Sequence, residues 1–292
     1  MIDRFVDYLR FEKGRTVLTV DSYRRDLENF QNYFSRLSDG ITWQTVDTDI
    51  IRDWMENMMD KGNSSASINR RLSALRSFYR YAMARGLVSK DPAYGVVGPK
   101  KEKTLPYFVK ESQMDNLLDE ANWGVSYEDL RNRMILMVFY ETGVRLSELV
   151  GLNDNSISWP EGVLRVIGKR NKERIVPLGG KLLRELEDYV SVRDRCVERR
   201  SNAFFLTKDG ERVKSAQVRF MVERNLRKFC TLKKVSPHVL RHTFATAMLN
   251  HGADLESVKR LLGHESLTTT EVYTHVTFEQ LKREYKTAHP RA

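Results

Sequence analysis

Apolar residues recur at helical spacing through the first third of the chain. Ile2, Phe5, Val6 and Leu9 share one face of a helix that Gly14 breaks, and Tyr23, Leu27, Phe30 and Phe34 share one face of a second, from about Thr19 to Leu37. Ile50, Ile51, Trp54, Met55 and Met58 predict a third helix, ended by Gly62. Ser64 or Ser65 caps a fourth, which points Ile68, Leu72, Leu75, Tyr79 and Ala82 inward and runs to about Arg85. Four such helices predict a bundle over residues 1–97. Pro92 and then GVVGPKKEKT, Gly95 to Thr104, interrupt the pattern, and a linker is expected at 98–104.

From residue 105 to 292 the pattern is mixed. Lys110–Ala121 and the very apolar Asp129–Tyr140 read as helices, the latter ended by Thr142-Gly143, and Arg145–Leu149 as a short one. The β-branched runs Val163–Ile167 and Arg174–Leu178 flank a polar turn and predict a hairpin with a basic tip. Gly179–Arg195 and Ala216–Lys228 read as helices and Phe204–Leu206 as a short strand. Ser236 and Pro237 then open a helix through Leu240, Phe244, Ala247 and Met248 that stops at Gly252. Leu255–Leu262 stops at Gly263, which leaves His264 on an exposed turn. Phe278, Leu281 and Tyr285 give the last segment, 278–292, an amphipathic face. The expected fold is mainly α, in two domains, with a small antiparallel sheet in the second.

Charge narrows the partner. Lys and Arg number 49 against 39 Asp and Glu, a net +10 that points to a polyanion. No acid stands between Lys61 and Lys90, so Arg70, Arg71, Arg76 and Arg80 on the fourth helix are candidate phosphate contacts, as are Arg170 and Lys172 at the hairpin tip. The plainer alternatives are a solvated basic face and a polar turn. Cys196 and Cys230 have no metal-site spacing and suit a reducing cytoplasm. No run approaches the roughly 20 apolar residues of a membrane helix, so no membrane partner is expected, and Asp3, Arg4 and Asp7 argue against a signal peptide.

The chemistry gathers between Ser236 and Val276. His238 and Arg241 share one face near a helix N-terminus, where free N–H groups and the dipole favour an anion. His264 and Tyr273 follow. A tyrosine hydroxyl is a weak nucleophile at neutral pH and needs help. A phosphodiester under attack needs its oxygens stabilised, which a planar, permanently charged guanidinium does well. Arg145, just past a glycine turn, offers a second guanidinium, although an ordinary Arg145–Glu148 surface pair would explain it too. Lys169 on the hairpin turn could reach a site. His238 and His242 have a spacing that can hold zinc, but no third ligand accompanies them. Tyr273 is one of 12 tyrosines, of which Tyr23, Tyr79 and Tyr140 read as packing.

With these elements in order, the chain resembles the tyrosine recombinase (phage integrase) family, and within it the bacterial XerC/XerD branch with a slight lean to the former. The carrying motifs are ETGVRLSEL (Glu141–Leu149), GKRNKERIVPL (Gly168–Leu178), SPHVLRHTFAT (Ser236–Thr246), LLGHESLTTTEVYTH (Leu261–His275) and the terminal HPRA. The resemblance implies a SAM-like core-binding bundle ahead of a catalytic domain. It makes Arg145 and Arg241 the arginines on the scissile phosphate, Lys169 the general acid, His238 and His264 assistants in proton transfer, Tyr273 the nucleophile and Glu148 a supporting acid. It implies a 3′-phosphotyrosyl intermediate with neither metal nor other cofactor. The implied partners are duplex DNA with inverted-repeat half-sites and a homo- or hetero-tetramer with a paralogous recombinase on two DNA sites. A DNA translocase of the FtsK type is a further implied partner, and residues 278–292 a contact between protomers. Resolution of chromosome dimers at a dif-like site follows from the same resemblance. The alternatives are an integrase or resolvase of a mobile element, a topoisomerase IB-like nickase, and a DNA-binding regulator that does not cut.

Overall fold

The computed structural model describes residues 1–100, 107–168, 172–263 and 278–291, without the side chains of 278–280. The chain divides into two compact units, Met1–Thr104 and Leu105–Ala292.

The first unit is built from α1 (Ile2–Asp7), which runs on into a π-helical turn at Tyr8–Glu12, α2 (Val17–Leu37), α3 (Thr48–Asp60) and α4 (Ser65–Ala84). The helix starts follow from side-chain caps. Thr16 accepts from the Thr19 N–H, Asp47 from the N–H groups of Asp49 and Ile50, and Ser64, rather than Ser65, from that of Ser67. The amphipathic faces meet over Phe5, Leu27, Phe30, Ile51, Leu72, Leu75 and Phe78, all buried. Trp43, from the loop after α2, wedges between Phe34 and Phe78 with ring centroids 5.2 and 4.4 Å away. Its carbonyl accepts the buried Tyr79 hydroxyl at 3.2 Å. The chain after α4 folds back onto it, since Arg76 donates to the carbonyls of Ala93 and Val96, and Asn69 donates to that of Pro99 at 2.8 Å. The start of the expected linker is thus fastened to α4, and its residues 101–104 lie outside the described residues.

The second unit centres on α6 (Tyr127–Thr142), whose residues from Arg133 to Thr142 are all buried. A helix apolar on every side is one packed on every side. Around it lie α5 (Glu111–Leu118), α7 (Leu146–Gly151), α8 (Gly180–Cys196), α9 (Ser215–Phe229), α10 (Pro237–Asn250), α11 (Leu255–Leu262) and α12 (Phe278–Ala288). Among the described residues, β1 (Ile157–Ser158), β2 (Val163–Ile167) and β3 (Glu173–Pro177) form one antiparallel sheet in that order. Leu164 stands opposite Val176 and Ile167 opposite Glu173. This register buries Val163, Leu164, Val166 and Val176 and closes the hairpin below its basic turn.

One expectation changes. Phe204–Leu206 is not a strand, although Leu206 makes an isolated bridge to Arg212. Its apolarity serves packing instead, with Phe204 and Phe205 5.7 and 5.4 Å from the Tyr189 ring. The tail expected on a neighbouring protomer packs, in the single chain, on its own unit. Tyr285 is 0% exposed, and His289 stacks on Tyr285 and Phe244 at 5.3 and 5.6 Å. Arg291 Nε then reaches the carboxyl group of the buried Glu141 at 3.3 Å. Among the described residues no helix is long and apolar enough to cross a membrane.

Candidate active site

The site forms where three helix ends meet the hairpin. Gly143 ends α6 with φ +60° and Gly263 ends α11 with φ +65°, both left-handed caps that suit glycine. The last carbonyls of α11 lack partners within the helix and carry the negative end of its dipole. Three arginines from three other elements satisfy them in succession. Arg174 of β3 donates its Nε to Leu261 O at 2.8 Å. Arg241 of α10 donates to Leu262 O at 2.6 Å, and Arg145, at the start of α7, to Gly263 O at 3.0 Å. Arg241 also bonds Gly143 O at 2.6 Å, which ties the ends of α6 and α11 together.

Glu148 sits under this cluster with its side chain 2% exposed. Its carboxylate accepts the Arg145 backbone N–H at 2.7 Å and the Arg145 guanidinium at 2.8 Å. It also accepts both Nη atoms of Arg174, each at 2.8 Å. The surface-pair alternative for Arg145 and Glu148 is therefore wrong, because the acid is buried and holds two arginines.

Electrostatics follow from this packing. Burial by itself would raise the Glu148 carboxyl, but the bonds from Arg174 and Arg145 outweigh it and bring the group down to about 2. Arg241, only 7% exposed, is lowered to about 10 by burial and then by Arg145 and Arg174, and it stays charged at neutral pH. His238, exposed on the first turn of α10, is lowered by partial desolvation and then by Arg241, His242, Arg219 and Arg145. A neutral imidazole beside clustered guanidinia can accept a proton, and the cluster itself suits an anion.

The structure thus brings together Arg145, Arg241, His238 and Glu148. Lys169, Arg170, His264 and Tyr273 lie outside the described residues, although Gly168 and Gly263 bring the chain to their edge at the same cluster. His242 is exposed, and among the described residues no group of His, Cys, Asp or Glu could hold a metal ion. Nothing in the sequence pattern marks Arg174 as part of the site. Its partners lie 26 and 87 positions away, so only its place one strand beyond the basic turn could have hinted at it.

The candidate DNA-contacting arginines of α4 have internal work. Arg70 pairs with the buried Asp26, donating to its Oδ1 at 2.8 Å. Arg71 bonds Asn63 Oδ1 at 3.1 Å, and Arg76 holds the chain after α4. Arg80 and Lys172 are exposed.

Comparison with known proteins fits this arrangement. The pattern of the phage integrase family matches residues 107–280, and that of the phage integrase N-terminal SAM-like domain matches residues 2–86. The tyrosine recombinase XerC of Pelotomaculum thermopropionicum is 39% identical over 301 residues, covering 100% of this chain and 98% of that protein. The tyrosine recombinase XerD of Oceanobacillus iheyensis is 37% identical over 295 residues, with 100% and 98% covered. The chain belongs to the phage integrase family and is an enzyme of its tyrosine site-specific recombinase class. Two solved structures share the fold. The XerH recombinase bound to a palindromic difH substrate aligns with a TM-score of 0.74 at 21% identity, covering 97% of this chain and 83% of that one. The Tn1549 transposon integrase in complex with a circular intermediate DNA aligns at 0.73 and 19%, with 98% of each chain covered.

Proposed function

We propose that the chain cuts and rejoins duplex DNA by transfer of a phosphoryl group to Tyr273. The observation that carries this reading is the pair Arg145 and Arg241, fixed side by side at the end of α11. In the proposed step the Tyr273 oxygen attacks the scissile phosphorus and the bond to the 5′ oxygen breaks. Lys169 gives that oxygen its proton. The products are a 3′-phosphotyrosyl link and a free 5′ hydroxyl. Arg145 and Arg241 neutralise the nonbridging oxygens, and His238 and His264 steady the pentavalent state and move protons. Glu148 supports by holding Arg145. The phosphoester energy is kept in the link, so a second 5′ hydroxyl reverses the step without ATP or a metal.

The biological reading is Xer-like. The unit ahead of the linker grips duplex DNA with inverted-repeat half-sites through the exposed Arg80 of α4, with Arg70, Arg71 and Arg76 engaged inside the unit, while Arg170 and Lys172 contact DNA from the hairpin. A tetramer, with a paralogous recombinase or with further copies, joins two sites, and residues 278–292 link the protomers. The reaction resolves chromosome dimers at a dif-like site in the cytoplasm, at the nucleoid, with a DNA translocase. The relatives named XerC and XerD, similar along the whole chain, support this.

The test is strand exchange on a supercoiled plasmid with two directly repeated copies of a duplex selected by the protein from a random-sequence pool. The proposal expects two resolved circles, with the protein alone or with its paralogue added. Binding without resolution in both mixtures would overturn it.

A further inference from the structure

Arg174 spends its guanidinium on Glu148 and Leu261 O and so joins three parts of the site. It stands on β3, the strand that follows Lys169 in the sequence. Its two Nη atoms close a bidentate bridge on Glu148 of α7, and its Nε bonds Leu261 O at the end of α11. The side chain is 13% exposed, so water screens these bonds weakly. Only a planar fork can make three bonds of this kind, because an ammonium has no fixed bidentate geometry. The fit around it is close. A Cβ at Gly263 would lie 3.1 Å from Arg174 Cδ, and one at Gly168 would lie 3.5 Å from Glu148 Oε1.

Charge balance gives the bridge its purpose. Glu148 carries one negative charge and is held by two guanidinia, Arg145 and Arg174. With Arg174 compensating the carboxylate, Arg145 keeps net charge for an anion. Without it, Glu148 would be a buried acid with Arg145 as its remaining close partner, and Arg145 would be drawn away from a phosphate.

We propose that Arg174 is a positioning residue, acting through Glu148 to hold Arg145 ready for phosphate and to register the hairpin against the end of α11. This rests on the reading of Arg145 as a phosphate ligand.

The experiment compares wild type, Arg174→Gln, Arg174→Lys, Glu148→Gln and the Glu148→Gln/Arg174→Gln pair. Single-turnover covalent adduct formation is measured on a nicked form of the selected duplex, beside affinity for the intact duplex and the thermal midpoint. Arg174→Gln should slow the adduct step about 100-fold and Arg174→Lys about tenfold, as for a misplaced group outside the chemistry. Affinity should stay within about threefold, since most phosphate contacts lie elsewhere. In the Glu148→Gln background, Arg174→Gln should add less than about threefold, the non-additivity of residues acting as one unit. Adduct rates within threefold of wild type, or full additivity with Glu148→Gln, would overturn the proposal. So would a rate loss matched by the same loss of affinity. If Arg174→Gln does not melt cooperatively, Arg174→Lys decides by the same criteria. A wild type that binds the duplex but forms no adduct even with its paralogue present overturns the reading of the site itself, and this proposal with it.

Discussion

Replacing Gly143 with alanine should injure the catalytic unit by an amount the structure dictates. Gly143 ends α6 at φ +60°, and a Cβ there would lie 2.6 Å from Phe244 Cδ1 and 2.7 Å from Leu262 Cδ2. Both neighbours are buried and neither can swing clear. The left-handed backbone costs a residue with a Cβ about 1–2 kcal/mol, and overpacking a filled core about 1–3 kcal/mol more. Alanine returns about 0.4–1 kcal/mol by restricting the unfolded chain. The net loss is about 2–4 kcal/mol. Gly252 is the control. It has φ +85° and nothing within 4 Å of its Cβ position, so Gly252→Ala pays the backbone cost alone, a net of about 1 kcal/mol. Urea unfolding of the two variants and wild type, followed by circular dichroism, should separate them by about 1–3 kcal/mol. Gly143→Ala should also slow adduct formation more than Gly252→Ala, because the Gly143 carbonyl holds Arg241 at 2.6 Å. Equal stability losses would refute the claim that the α6 end is packed to contact against α10 and α11.

Three other predictions rest on separate parts of the molecule. Burial raises the Glu141 carboxyl from the usual 4.5 to about 8, even with Arg291 opposing it, so the folded chain holds a proton that the unfolded chain has released. That stability is fully present below about pH 4.5 and lost as pH rises through about 8; Glu141→Gln should flatten the slope of unfolding free energy across that window, and an unchanged slope would contradict it. Tyr285→Ala should cost about 3–5 kcal/mol in the free chain, because Tyr285 is wholly buried in its own unit, and an unchanged melt would contradict it. Arg80→Gln should lower the salt dependence of DNA binding by about one phosphate's slope with the melt unchanged, while Arg76→Gln should lower the melt first, since Arg76 holds the Ala93 and Val96 carbonyls.

Much of the fold was legible because it obeys local rules. The apolar spacing of α2 to α4 fixed their faces, and a serine, a proline and the glycines at 143, 252 and 263 marked helix ends by backbone geometry. Phe204–Leu206 misled because a short apolar run looks alike whether it pairs in a sheet or plugs a gap beside Tyr189. Arg145 and Arg241 were visible through their turn and helix positions. Their shared dependence on the carbonyls of α11 was not, because backbone acceptors leave no trace in residue identity. Arg174 was hidden for the same reason. The arginines of α4 read as one basic face, yet Asp26, on a different helix, claims Arg70. Charge runs show what a helix carries, and only the packing shows which charges are already used.

The most direct test of the account is a suicide-substrate reaction on the nicked selected duplex, with wild type and Tyr273→Phe side by side. Wild type should give a denaturant-resistant protein–DNA adduct, with a 3′-phosphotyrosine at Tyr273 in the digested product and a free 5′ hydroxyl, and the variant none. An adduct of equal yield in Tyr273→Phe, or none from wild type on a duplex it binds specifically with its paralogue present, would contradict it.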